Sequence, residues 1–279
     1  MSTRQGVAPS SAEIPLPDLP PPFSWHEGEG IAWVEAPLPG GSAAFSTRIG
    51  GLSTGPYASL NLGILTDDDP ERVAGNRRLL AGALGRDPDG VAMGMQVHGG
   101  DVERHTGPPS PSGYSARGEL TRADGQATDH PAVTPLVLAA DCVPLALSCG
   151  GAVGVAHCGW RGLTAGVVQR AVEAVTALAK AEPSQLGAAI GPAIGPCCYR
   201  VGDDVRVAVA ARGLGSDVFE GEALDLPQAV GAELERAGVR PDAIAATGLC
   251  TSCRPDLFFS PRRDGGTTGR QAGVAWRAA

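Results

Sequence analysis

The chain has no apolar run approaching the about 18 residues needed to span a bilayer, and Met1–Glu13 lacks an apolar signal core. Secretion and membrane insertion are therefore not expected. It has no excess of basic residues: 22 Lys and Arg face 30 Asp and Glu, a net charge of −8. Without a basic stripe to match a phosphate backbone, the charge argues against a general nucleic-acid binder. Seven cysteines are an odd number with no small-domain disulfide spacing, so reduced thiols and a cytoplasmic location are expected. There is no P-loop, no G-x-G-x-x-G, no H-E-x-x-H and no repeat of fixed period. What is present is 279 residues, 43% hydrophobic, enough to bury the core of an ordinary soluble enzyme.

Met1–Pro22 is rich in Pro and Ser, and residues 1–27 are read as a disordered leader before a single domain over 28–279. Trp33–Glu35 and Ala43–Ser46 read as strands around a Pro-Gly-Gly turn. Asp67-Asp68-Asp69 before Pro70, with Val73, Leu80 and Leu84 following and Gly85 beyond, predicts a capped helix. Gly107–Gly118 reads as a mobile loop. Val167, Val168, Ala171, Val172, Val175 and Leu178 recur at helical spacing and predict one helix over Leu163–Ala181. Further helices are predicted over Asp203–Arg212 and from Asp225 to Gly238, and short strands at Ala243–Ala246, Leu257–Phe259 and Val274–Trp276. Alternating helices and strands point to an α/β fold.

Chemistry concentrates in Ala140-Asp141-Cys142-Val143-Pro144 and His157-Cys158-Gly159-Trp160-Arg161-Gly162. The apolar runs Pro144–Cys149 and Ala152–His157 flank Gly150-Gly151, a two-residue hairpin loop. Such a hairpin sets Pro144 opposite His157, so the sheet is not wholly parallel. Cys142 then becomes a diagonal neighbour of His157 on one face, roughly 7–8 Å away at Cα, with Cys158 on the other face. A thiolate and an imidazole so placed can ligate Zn or Cu, or form a Cys–His nucleophilic pair. The plainer alternative is a buried cysteine beside a strand-end histidine. His98, in Gln96-Val97-His98-Gly99, is the candidate third ligand, since catalytic metals commonly keep three protein ligands and one open position. His26, His105 and His130 read as loop residues.

Asp141 is a candidate general acid/base, although strand parity turns it from Cys142 unless a bulge intervenes. Arg161 sits where a strand end meets a helix start and is a candidate anion ligand. Asn61 is a turn residue or a substrate contact, and Pro261-Arg262-Arg263-Asp264 a solvated turn or a substrate rim. Cys250-Thr251-Ser252-Cys253 is a C-x-x-C without a second spaced pair, Cys197 and Cys198 being adjacent. It reads as two ordinary thiols, with a redox pair the alternative, rather than zinc.

Several motifs in order resemble those of the YfiH-type laccase-domain family, whose members are described as polyphenol oxidases, multifunctional purine nucleoside enzymes or peptidoglycan editing factors. They are Phe45-Ser46-Thr47-Arg48, Ser59-Leu60-Asn61-Leu62-Gly63, Asn76-Arg77-Arg78, Gln96-Val97-His98-Gly99, Ala123-Asp124-Gly125, the Cys142 and His157 motifs, Cys197-Cys198-Tyr199, Phe259–Gly266 and Thr268-Gly269-Arg270. The resemblance implies a mixed-sheet, four-layer α/β/β/α sandwich and a metal site at His98, Cys142 and His157. It also implies phosphorolysis of adenosine, inosine, guanosine and methylthioadenosine, and deamination of adenosine. Zn²⁺ is the expected metal, with Cu²⁺ the alternative. Arg48 is the first choice for phosphate and Arg161 the second, and Gln96 joins Asn61 as a substrate contact. Purine nucleosides and phosphate are the expected partners, with no nucleic acid and no membrane; the oligomeric state is left open. Three other readings stand beside this one: a Cys142–His157 amidohydrolase editing peptidoglycan precursors, a copper phenol oxidase, and a zinc-stabilised binding protein.

Overall fold

The structure, a computed structural model, describes residues 14–107 and 120–278. The expected loop at Gly107–Gly118 lies outside these but for Gly107, as does Met1–Glu13 of the expected leader. A meander opens the fold: β1 (Ser24–Gly28), β2 (Ile31–Leu38) and β3 (Gly41–Ser46). It is followed by α1 (Pro70–Ala83), β4 (Val91–Ala92), β5 (Val102–His105), β6 (Gly125–Thr128), β7 (Thr134–Ala139), β8 (Val143–Cys149) and β9 (Ala152–Cys158). Then come α2 (Trp160–Thr164), α3 (Val167–Ala179), β10 (Gly187–Ile190), α4 (Asp203–Ala211), the small hairpin β11 (Phe219–Glu220) and β12 (Ala223–Leu224), and α5 (Leu226–Arg236). β13 (Ile244–Ala246), α6 (Pro261–Asp264) and β14 (Gln271–Arg277) close the chain.

Two six-stranded mixed sheets result, in the orders β1-β2-β3-β14-β7-β4 and β13-β10-β8-β9-β6-β5. The sheets pack face to face through Phe45, Val137, Ala146, Val153, Val155 and Ala275. They approach closely: a Cβ on Gly273 would lie 2.6 Å from the Pro144 Cβ, so only glycine fits there. α1 covers the first sheet, with Leu80 set among Ile31, Leu60, Leu62 and Leu136. α3 and α5 cover the second sheet through Val168, Val172, Val175, Val230 and Leu234. Each such fully buried aliphatic side chain contributes about 1.5–3 kcal/mol. The architecture is thus the expected mixed α/β single domain, and its layers run helix, sheet, sheet, helix.

α1 starts as its sequence dictates: the Asp69 carboxylate accepts from the Glu71 N–H at 2.9 Å, Pro70 occupies the first turn, and Gly85 follows the helix at φ 62°. Four expectations need correction. Residues 14–27 are not a disordered leader. They hold β1, the Trp25 indole donates to the Pro17 carbonyl at 2.8 Å, and Phe23 is buried with its ring 6.5 Å from that of Phe45. The helix predicted over Leu163–Ala181 is two helices, broken at Gly166, whose φ of 87° is left-handed. Leu257–Phe259 is not a strand: the Gln271 side-chain amide accepts from the Phe259 N–H and donates to the Phe259 carbonyl, replacing a neighbouring strand. His26 and His105 lie in β1 and β5, not in loops. Among the described residues no helix is long and apolar enough to cross a membrane.

Candidate active site

The β8–β9 hairpin forms in the predicted register, with Cys149 opposite Ala152 and Pro144 opposite His157. His157 therefore faces the space between the sheets, while Cys158 is buried in the core beneath α3. Cys142 immediately precedes β8. His98 ends the segment after β4, with its backbone at φ 58°. The donor atoms of His98, Cys142 and His157 lie within 4.8 Å of one another. The two imidazoles meet edge to face, their centroids 4.9 Å apart.

Asp124, just before β6, builds this centre from behind. Its fully buried carboxylate accepts from His157 Nδ1 at 2.9 Å and from the N–H groups of Val97, His98 and Gly99 at 2.9, 3.0 and 2.8 Å. One side chain thus orients one histidine ring and the backbone that carries the other. The bond to Nδ1 leaves His157 Nε2 to face Cys142 and His98. The carboxylate's bond from the His98 N–H also holds His98 in a left-handed conformation that non-glycine residues adopt rarely. Burial disfavours the Asp124 anion, yet these hydrogen bonds outweigh it and keep its pKa below the usual carboxylate value.

Burial opposes ionisation of the Cys142 thiol, but the charge on His157 and hydrogen bonds from both imidazoles outweigh it and bring the thiol down to about 6. Burial likewise disfavours the His157 cation, while the Cys142 thiolate and the Asp124 hydrogen bond push it up to about 9. Without an ion the two form a thiolate–imidazolium pair. Burial raises Cys158 well above an ordinary thiol, as do the neighbouring charges of Cys142 and Asp124. Gly159 allows this approach: a Cβ there would lie 2.8 Å from Cys142 Sγ and 3.1 Å from His98 Cδ2.

The donor set fits a divalent ion. Two imidazole nitrogens and a thiolate converge, a carboxylate backs one histidine, and no fourth donor among the described residues joins the group. Such mixed N/S donors suit Zn²⁺ and Cu²⁺ alike. The centre opens into a cavity of about 410 Å³ lined by His98, His157, Met93, Leu138 and Arg270, with Leu65 at its exposed rim.

The family model described as multi-copper polyphenol oxidoreductase laccase matches residues 42–278. The chain belongs to that family. It is 40% identical over 270 residues to "Purine nucleoside phosphorylase YlmD" of Geobacillus stearothermophilus, covering 91% of this chain and 96% of the relative. It is 42% identical over 247 residues to "Purine nucleoside phosphorylase ORF3" of Streptomyces griseus (86% and 96%), and 40% identical over 260 residues to "Purine nucleoside phosphorylase YfiH" of Escherichia coli K12 (90% and 96%). The crystal structure of YlmD from Geobacillus stearothermophilus superposes with a TM-score of 0.82 at 36% identity, covering 92% of this chain and all of that one. The relatives' names support an enzyme, and the laccase-like family together with the His98/Cys142/His157 cluster suggests a metal.

The other candidates from the sequence stand apart from the three donors. Arg48 donates to the carbonyls of Ala58 and Pro255 at 2.7 and 2.9 Å and lies 4.6 Å above the Phe259 ring, so its guanidinium braces loops. Arg161 is exposed and stacked at 4.2 Å on its neighbour Trp160. Asp141 turns from the centre as parity predicted: its two oxygens accept from Thr251 Oγ1 at 2.6 Å and the Arg262 N–H at 2.9 Å. Gln96 reaches the cavity wall, but its amide exchanges two hydrogen bonds with the Leu138 backbone, giving β7 a partner beyond the end of β4. Asn61 is fully buried, donates to Thr66 and Asp68, and accepts from the N–H groups of Gly63 and Arg270. It shapes the rim without facing the cavity.

Two functional residues went unassigned in the sequence reading. Asp124 lies in the Ala123-Asp124-Gly125 motif, but three of its four partners are backbone N–H groups, which leave no sequence signal. Arg270 is a cation of the cavity wall. Burial lowers its pKa, while the nearby charges of Asp141 and Cys142 raise it. Its signal was the Thr268-Gly269-Arg270 motif.

Proposed function

We propose that this chain is a purine nucleoside phosphorylase whose centre of His98, Cys142 and His157 binds Zn²⁺, with Cu²⁺ the competing metal. Its substrates are adenosine, inosine, guanosine and methylthioadenosine together with phosphate, and adenosine is also deaminated there. The observation that carries this reading is the open three-donor centre facing a 410 Å³ cavity that combines apolar walls with one arginine. The names of relatives at 40–42% identity point the same way.

When bound, the ion supplies Lewis-acid stabilisation of developing negative charge. The rest falls to the chain. Arg270 holds phosphate and aims an oxygen at the ribose anomeric carbon, taking the role first given to Arg48. The base departs with the electrons of its bond to the ribose, its apolar faces held by Leu65, Met93 and Leu138. Asp124 fixes the His157 tautomer throughout the cycle. The cavity size suits a nucleoside with phosphate.

A phosphate-dependent assay on adenosine and inosine, run with metal analysis, tests this. Free base with ribose 1-phosphate is the expected product, and ammonia from adenosine marks deamination. Arg270→Ala is expected to raise the KM for phosphate more than that for nucleoside. Absence of both products from metal-loaded protein would reject the reading. A second reading rests on the Cys142–His157 pair, whose low thiol pKa suits a nucleophile attacking an amide, as in editing of peptidoglycan precursors. A trapped acyl-thioester in active, metal-free protein would favour it. The family description motivates a third, copper-dependent phenol oxidation. Its weakness is that only one of the two candidate clusters among the described residues carries imidazoles, where four-electron reduction of oxygen uses several copper ions.

A further inference from the structure

Cys197 and Cys198 follow Gly195-Pro196 in the turn after β10, and Cys250 and Cys253 lie in the turn after β13. Sequence spacing alone argued against a zinc ligand set here, but the fold brings the two turns together. β10 and β13 run parallel as neighbours, and the pairing continues past their ends: the Ala193 N–H donates to the Leu249 carbonyl, and the Thr251 N–H donates back to the Ala193 carbonyl. The four sulfurs all lie within 4.8 Å of one another. Cys253 Sγ is 3.5 Å from Cys197 Sγ and 3.5 Å from Cys198 Sγ. The Gly195 N–H donates to Cys250 Sγ at 3.3 Å, the sort of contact that favours a thiolate.

We propose that Cys197, Cys198, Cys250 and Cys253 form a second, structural zinc site that clamps the turn after β10 to the turn after β13. A tetrahedral ion with Zn–S bonds of about 2.3 Å has sulfur–sulfur edges of about 3.8 Å, close to the spacing found. All-sulfur donors select Zn²⁺, Cu⁺ or iron–sulfur centres. The tight spacing favours one ion over an iron–sulfur cluster, which spreads its cysteines around several iron atoms. Four protein ligands close the coordination shell, so this site binds without catalysing. Binding displaces the thiol protons. A cavity of about 570 Å³ bordered by Cys197 and Cys250 gives the ion a route in.

The clamp has a purpose in this fold. Tyr199 follows Cys198 directly and stacks under the Arg262 guanidinium at 5.1 Å. Thr251, inside the C-x-x-C, donates to Asp141, the neighbour of Cys142. Arg263 donates to the Thr251 carbonyl at 2.8 Å and thereby fixes α6, whose Pro261 lines the catalytic cavity. Four sulfurs, two of them exposed and two half-buried, thus brace one wall of the first centre without touching it.

The test uses the full chain carrying His98→Ala and His157→Ala, which removes the first site and leaves the cysteines intact. Purified under reducing conditions and loaded with Zn²⁺, this background should hold about one ion per chain. Loaded with Co²⁺, it should show the intense charge-transfer and d–d absorption of a tetrahedral tetrathiolate. Adding Cys250→Ser and Cys253→Ser should abolish both. No bound metal in the background, metal that survives the serine substitutions, a cobalt spectrum lacking the tetrathiolate bands, or iron–sulfur absorption would each overturn the proposal. So would a Cys197–Cys253 disulfide persisting under the reducing conditions. Should the serine variants fail to fold, the cobalt spectrum of the background decides by itself. Because the first site is absent throughout, these outcomes are independent of the purine nucleoside reading.

Discussion

Cys142 and His157 are delivered by the sheet framework, one just before β8 and one within β9, His98 comes from the segment between β4 and β5, and a carboxylate stands behind them. Cys197, Cys198, Cys250 and Cys253 come from two surface turns and are supported mainly by backbone hydrogen bonds. The first group offers three donors and opens on a cavity; the second offers four and closes on itself. An open coordination position is what a substrate or water needs, and a closed tetrahedron is what a fold needs. The same element of chemistry, the thiolate, takes different work according to how many neighbours the topology gives it.

The largest effect should come from the ligands of the open centre. His157→Ala is expected to weaken zinc binding by more than the about 100-fold that loss of a supporting partner can cost, and to remove activity with it. Equilibrium metal titration by competition with a chelator reads this, and unchanged affinity would end the assignment. Next, Asp124→Asn should cost about 10–100-fold in metal affinity and in kcat/KM at that centre alone. The four-cysteine group should keep its ion in the same protein, and joint loss would mean the two regions are not independent. Gly159→Ala forces a methyl against Cys142 Sγ, with a strain of about 1–3 kcal/mol. A metal affinity lowered by about tenfold should follow, with circular dichroism unchanged.

A pH experiment sharpens the contrast. In metal-free protein, alkylation of Cys142 should rise with its thiolate fraction through a midpoint of about 6, against 9.0 for an unperturbed thiol. The depressed value means reactivity is retained at neutral pH and lost as the solution falls below that midpoint. Mass spectrometry of the Cys142 peptide across pH 4–10 gives the curve, and a midpoint near 9 would refute the ion pair. The smallest effect belongs to the closed group. Cys253→Ser should lower the melting temperature by about 2–4 °C for each kcal/mol of clamping lost. The first centre's metal content should not change.

What could be read in the sequence was whatever depends on near neighbours. Gly150-Gly151 determines a loop length, the loop length a register, and the register puts Pro144 opposite His157. Asp69 and Pro70 specify the start of α1 for the same local reason. The misses share a different cause. Asp124 acts through backbone N–H groups more than twenty residues away, which any sequence could supply. Cys250 and Cys253 meet Cys197 and Cys198 across some 55 positions because β10 and β13 happen to lie side by side. The carbonyl contacts of Arg48 were not legible either, because a free guanidinium and a loop-bracing one are spelled identically. Gln271 showed that a side chain can stand in for a strand, so the apolar run Leu257–Phe259 carried the right composition for the wrong structure.

The Cys142–His157 pair also predicts how this site responds to oxidants. A thiolate that persists at neutral pH is the form that peroxide attacks, and the first product, a sulfenic acid, is no longer the same ligand. An ion held by this pair and His98 would therefore shield the sulfur from oxidation. In ion-free protein, peroxide would oxidise the thiolate to sulfenic acid, which a thiol reductant reverses, and excess peroxide would carry it on to sulfinic acid, which added metal and thiol no longer restore. Chelation under argon, by contrast, should remain reversible.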